Sequence, residues 1–359
     1  MKVGILTFHR AQNYGAVLQC YALQEYCKRK GHHVYVLDYQ NRYLLNCYKI
    51  FDRHRFFDKH QDFNKNIIRF KSEIALLKKR ILRKQAFESF LGSKINIKQF
   101  DEDILNDLDL IIIGSDQVWN IQLTKGFDVY YWGNFIRNSK SRLISYAASG
   151  LNLNTIVDKE EKVVKLLRNF DAISIREQSL KNILQEKSAI HINVCSDPTL
   201  LVDINIWCSI AKTPSIKVPY VFLYQVRHVD NCLQMSKRIA DKMGLRLIVL
   251  SANIADNNSE LCYAASPEDF LGWIQNASFV ISTSFHGTVF SVLFKKQFLT
   301  LKLNDNKDDR VENFLNSVGL ESRLVENLDN EFDSIDYTNI NISNSDIIKY
   351  SKYYLNTYL

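Results

Sequence analysis

The chain has 359 residues, 46% hydrophobic and 24% charged, with a net charge of +7. This is the balance of a folded soluble protein long enough for two domains. It excludes a membrane span, because no apolar run reaches about 18 residues. The start, MKVGILTFHRAQ, turns polar with no small-residue cleavage site, so it predicts a first strand and not a signal peptide.

VGILTF (3–8) is a buried apolar run, followed by the loop HRAQNYGA. AVLQCYALQEYCKRK has a helical apolar rhythm, Gly31 stops it, and VYVLDY (34–39) is a second strand. A βαβ unit of this kind implies a parallel sheet. Residues 43–100 break the pattern. They are basic and carry helical periodicity in FNKNIIRFKSEIALLKKRILRKQAFESFL, so they predict a helical insertion. The βα rhythm resumes with LDLIIIG (108–114), RLISYAAS (142–149), FDAISI (170–175) and INVCSDP (192–198).

A second α/β half opens near Pro214 and Pro219. Its strands are PYVFLYQV (219–226), LRLIVLSA (245–252), SFVIST, QFLTLK (297–302) and SRLVEN. SPEDFLGWIQNA carries a serine cap with proline behind it, DDRVENFLNSV is a further helix, and SDIIKYSKYYLNTYL a terminal one. The expected fold class is α/β: two Rossmann-like domains facing across a cleft, with a helical insertion in the first. The expected limits are 1–205, 206–335 and a tail at 336–359.

Seven scattered cysteines (Cys20, Cys27, Cys47, Cys195, Cys208, Cys232, Cys262) form no C-x-x-C pair. That fits reduced thiols in the cytoplasm better than disulfides or zinc. No metal or cofactor is expected. The basic insertion suits a solvated helix face, or a surface near the inner face of a membrane. No recognition module accompanies it, so nucleic acid is not expected as a partner.

In parallel α/β sheets, ligands bind at the C-terminal strand ends. Five such ends are polar. Asn13, Tyr14 and Gly15 begin the first helix, where a glycine and a helix start suit an anion, although no G-x-G-x-x-G loop is present. Gly114, Ser115 and Asp116 follow LIIIG; the carboxylate suits proton transfer or a cap. Ser149 stands in SYAASG. Arg176 ends FDAISI, where its fork suits either an anionic ligand or an ion pair with Glu177 or a nearby acid. ISTSFHGTVF then puts Ser282, Ser284, Phe285, His286 and Gly287 at a helix start, a grouping hard to explain as core filling.

In order and spacing, TFHRAQNYGAVLQCYAL, LIIIGSDQVWN, SYAASG, ISIRE, SDPTLLV and VISTSFHGTVFSVLF resemble the polysaccharide pyruvyl transferase family. The resemblance runs from Lys2 to about Arg323, outside the insertion. It implies a GT-B-like fold, a phosphoenolpyruvate donor, and a glycan or lipid-linked oligosaccharide acceptor whose two hydroxyls end in a pyruvate ketal. Some relatives carry an arginine where this chain has Ser284, a place that Arg310 or Arg323 would have to fill.

Tested against that chemistry, His286 is the candidate general acid and Asp116 the candidate base. Arg176, the helix start at Phe285 and Arg310 are candidate anion contacts. A nucleotide-sugar glycosyltransferase would use the same architecture. A carbohydrate- or nucleic-acid-binding protein would depend on Lys78, Lys79 and Arg80 instead.

Overall fold

The computed structural model describes residues 1–50, 62–150, 159–227, 229–251, 264–303, 308–328 and 332–359. Part of the basic cluster, HRFFDKH, and also Cys262 lie outside them. The chain divides into two compact units, one of residues 1–47, 91–203 and 341–359, the other of residues 48–90 and 204–340.

The first unit is built on seven strands: β1 (Lys2–Leu6), β2 (His33–Leu37), β3 (Ile97–Lys98), β4 (Leu110–Asp116), β5 (Arg142–Ala148), β6 (Ile173–Ile175) and β7 (Ile192–Val194). Their order is β3-β2-β1-β4-β5-β6-β7, and every pairing is parallel. Parallel strands are covered on both faces, so β4 is buried from Leu110 to Ser115. The helix Tyr14–Arg29, buried along most of its length, lies between β1 and β2 in the chain. Behind β4, the indoles of Trp119 and Trp132 stack at 4.8 Å. The C-terminal helix Asp346–Tyr358 closes this unit, its Tyr354 hydroxyl donating to the Ser145 carbonyl at 3.0 Å.

The second unit has β8 (Tyr220–Gln225), β9 (Arg246–Ser251), β10 (Phe279–Ser282), β11 (Gln297–Leu301) and β12 (Leu324–Val325). The order is β12-β11-β10-β8-β9, again all parallel. Its core joins Val221 and Leu223 to Val249, Ile281 and Leu299. The helix Pro267–Asn276 starts with a full capping box, Ser266 and Asp269 each satisfying the other's backbone N–H.

The insertion leaves the first sheet between β2 and β3 as the helix Phe63–Lys94. Residues 48–90 group with the second unit. Each sheet has one place where the strand order reverses: between β1 and β4 in the first, and between β8 and β10 in the second. Such switch points open a crevice at the carboxyl ends of the strands.

Candidate functional site

At the β1/β4 switch point of the first unit, two of the expected clusters meet. Asn13 caps the helix Tyr14–Arg29, its Oδ1 accepting the Ala16 N–H at 3.3 Å; Tyr14 and Gly15 form the buried first turn. Across from it, the Thr7 hydroxyl donates to the Ser115 carbonyl at 2.9 Å, and the Gln19 amide donates to Thr7 Oγ1 at 2.9 Å. Gly114 has φ +116°, and a Cβ there would fall 2.4 Å from the Tyr146 carbonyl oxygen. Only glycine fits that close approach.

Asp116 is held at φ 71° and Ala147, on the neighbouring strand, at φ 44°. Left-handed backbone at non-glycine residues is costly and gathers where function fixes geometry. The Asp116 carbonyl accepts from the Ser149 N–H at 3.0 Å. Its carboxylate caps nothing: among the described residues it has no hydrogen-bond or ion-pair partner. That leaves it available as a proton acceptor.

Arg176 is where the structure departs most from the expectation of a ligand-binding fork. Its Nη2 lies 2.8 Å from Asp197 Oδ2, with the two side chains 4% and 0% exposed, and it also donates to Ser115 Oγ. The partner is Asp197 and not Glu177, which instead accepts the Ser149 hydroxyl. Ser115 Oγ in turn donates a hydrogen bond to the Ala147 carbonyl at 3.1 Å. The guanidinium thus ties the loop after β7 to the strained ends of β4 and β5. Asp197 also takes the N–H and hydroxyl of Thr199, at 2.9 and 2.7 Å.

One further cluster in this unit was not singled out from sequence. His9 is buried, with Nδ1 3.1 Å from the Thr7 carbonyl and Nε2 3.0 Å from Asp38 Oδ1. Arg10 grips the same carboxylate with two bonds of 2.6 and 2.7 Å. Burial opposes the charge on Asp38, but hydrogen bonds from His9, Arg10 and Gln40 outweigh it and hold the carboxyl well below its usual range. The Asp38 carboxylate is therefore committed to His9 and Arg10.

In the second unit, His286 stands in the first turn of the helix Phe285–Leu293, which leaves β10 beside the switch point. Thr283 binds the two strand ends together: its N–H donates to the Tyr224 carbonyl at 3.1 Å, and its Oγ1 accepts the Val226 N–H at 3.0 Å. Ser282 Oγ accepts the Ser284 N–H at 3.0 Å. Ser284 is the N-cap, yet its hydroxyl makes no cap bond. The Ser284 side chain therefore does not blunt the positive end of the helix; the side chain that meets the cap's own N–H is that of Ser282.

The His286 ring is 8% exposed and meets the Phe285 ring edge-on at 5.1 Å. The guanidinium of Arg310, from the helix Asp308–Val318, lies 5.9 Å from the centre of that same ring. Arg310 therefore shares a neighbour with His286. Arg323 is buried and donates to the Asp333 carbonyl at 2.6 Å. A glycine at position 287 could admit either a ligand or the protein's own atoms. What it admits is protein: a Cβ there would lie 2.1 Å from Ser282 Oγ and 2.9 Å from the Tyr224 ring.

Arg227 follows the end of β8 by two residues, on the side of the strand's carboxyl end, a position not singled out from sequence. The signal was present, since PYVFLYQVR ends on arginine just as FDAISIR does. Among the described residues, no three His, Cys, Asp or Glu side chains gather in a metal-holding arrangement.

The family model for polysaccharide pyruvyl transferase matches residues 13–305. No curated protein matches the chain. Among solved structures, the UDP-GlcNAc 2-epimerase of Methanocaldococcus jannaschii in complex with UDP-GlcNAc and UDP is 13% identical, covering 98% of this chain and 100% of its own at a TM-score of 0.46. The Neisseria meningitidis UDP-GlcNAc 2-epimerase is 11% identical over 100% and 94%, at 0.44. A Streptomyces glycosyltransferase complexed with thymidine diphosphate is 12% identical over 89% and 86%, at 0.41.

Proposed function

The chain belongs to the polysaccharide pyruvyl transferase family, and from that premise we propose that it transfers pyruvate from phosphoenolpyruvate to two hydroxyls of a glycan as a ketal. The setting we propose is synthesis of a bacterial capsule, exopolysaccharide or cell-wall glycan, on a free or lipid-linked acceptor. The observation that carries this reading is the second-unit switch point, where a helix start whose cap serine makes no cap bond, His286 and Arg310 gather around Phe285.

The donor has a carboxylate and a phosphate, so it needs amide donors and cations. The start of the helix Phe285–Leu293 supplies the first, and Arg310 and Arg227 the second. His286 gives a proton to C3 of the enol, and the positive charge that develops at C2 is taken by the first acceptor hydroxyl. The C2–O bond to phosphate then breaks. The second hydroxyl adds to C2 and closes the ketal. Two hydroxyl protons are released; one replaces the proton that His286 gave to the new methyl group, and the other leaves on phosphate. The Arg176–Asp197 pair acts as a positioning device for Ser115 and Asp116 and does not touch the donor.

The test is phosphate release from phosphoenolpyruvate in the presence of free and lipid-linked oligosaccharides, with mass spectrometry of the glycan. Phosphate released together with a pyruvate ketal on the glycan supports the reading. Consumption of a UDP- or GDP-sugar with phosphoenolpyruvate untouched rejects it.

A further inference from the structure

The helix Phe63–Lys94 buries one face: Leu76, Arg83, Phe87 and Phe90 are all withdrawn from solvent. Their spacing of seven, four and three residues is that of a single stripe. On the opposite side runs a second stripe with the same rhythm: Ile67, Lys71, Ile74, Lys78 and Leu82, at steps of four, three, four and four. Leu76 follows Ile74 by two positions, roughly 200° around the axis. All five residues of the second stripe are exposed, Ile74 at 49%, and Ile68 beside them reaches 68%.

A solvated helix face should carry charge and little else. This one alternates branched aliphatics with lysines. The acid nearest its middle, Glu73, is turned aside and paired with Arg80, both side chains largely covered. The face is therefore apolar and cationic at once, with no acid among its five stripe residues.

We propose that this face docks on an anionic phospholipid bilayer, the aliphatic side chains entering the interface and Lys71 and Lys78 meeting the headgroups. The charge decides between occupants. A second copy of the chain would bring the same lysines against themselves, whereas a surface of phosphodiesters complements both halves of the stripe. Docking would hold the protein where lipid-linked glycans are found. It does not depend on the proposed activity, since vesicle binding needs no phosphoenolpyruvate, and either can fail alone.

The experiment is co-sedimentation of the full chain with vesicles of phosphatidylcholine alone and of an equimolar mixture with phosphatidylglycerol. The variants are Ile67→Gln/Ile74→Gln and Lys71→Gln/Lys78→Gln, all at exposed positions of the stripe, with folding checked by circular dichroism. The expected result is binding to the anionic vesicles that weakens with salt, and a loss of roughly tenfold or more in partitioning for each double variant. Wild-type protein that stays in solution, or variants that sediment as wild type, would overturn the proposal. So would light scattering in which the wild type is an oligomer and the aliphatic variant a monomer, because the face would then be a contact between copies.

Discussion

The guanidinium of Arg176 and the carboxylate of Asp197 lie 2.8 Å apart with almost no solvent access to either side chain. A buried pair is costly to form and costlier to break, because removing one partner strands the other charge. Arg176→Ala should therefore destabilise the fold by about 3–5 kcal/mol. Arg176→Met combined with Asp197→Leu should recover most of that loss. Urea unfolding of the single and double variants checks this. A stable Arg176→Ala protein with weakened phosphoenolpyruvate binding alone would return the residue to the donor site.

His286→Asn should remove the proton donor while leaving a folded protein. Loss of a positioned general acid costs about 10²–10⁴ in rate. We expect kcat to fall in that range, KM for phosphoenolpyruvate to change far less, and the circular dichroism spectrum to match wild type. Turnover at the wild-type rate would remove His286 from the chemistry.

Gly287→Ala decides what the glycine is for. Alanine in an exposed helix normally gains about 1 kcal/mol over glycine. Here its Cβ would meet Ser282 Oγ at 2.1 Å and the Tyr224 ring at 2.9 Å. Overpacking of this kind costs about 1–3 kcal/mol, so the melting temperature should fall even without ligand. A rise in melting temperature accompanied by lost donor binding would show instead that the glycine makes room for substrate.

Asp38 gives the fold a pH dependence of known sign. Its folded-state acidity is raised, because hydrogen bonds from His9, Arg10 and Gln40 overcome the effect of burial. A carboxyl with a depressed pKa contributes its stability above the unfolded value of about 4. That contribution drains away as pH falls from there through the lower folded value. Asp38→Asn should be less stable than wild type at neutral pH, with the gap closing in acid. Denaturant midpoints across that range measure it; a constant gap would contradict the pairing.

Most of the fold was legible because fully buried parallel strands are long apolar runs, and β1, β4, β5, β8 and β10 are of that kind. β3 has only two residues and follows a long helix, so no periodicity marks it. The grouping of residues 48–90 with the second unit was equally invisible, since an amphipathic helix does not state what it packs on. At the site, ISTSFHG drew attention to His286 because polar residues there serve no core. Arg176 was chosen by the same logic, but its partner stands in a different loop, and only the fold brings Asp197 to it. Arg227 was not singled out because its place depends on β8 flanking the switch point, a matter of strand order.

The most direct measurement is the melting temperature of the wild-type chain titrated with phosphoenolpyruvate, and separately with UDP- and GDP-sugars. A ligand that binds only the folded state raises it in proportion to the logarithm of its excess over Kd. The account predicts a rise with phosphoenolpyruvate that keeps growing with the logarithm of its concentration, none with the nucleotide sugars, and loss of that rise when Arg310 and Arg227 are both changed to alanine. A rise with a nucleotide sugar and none with phosphoenolpyruvate would contradict it.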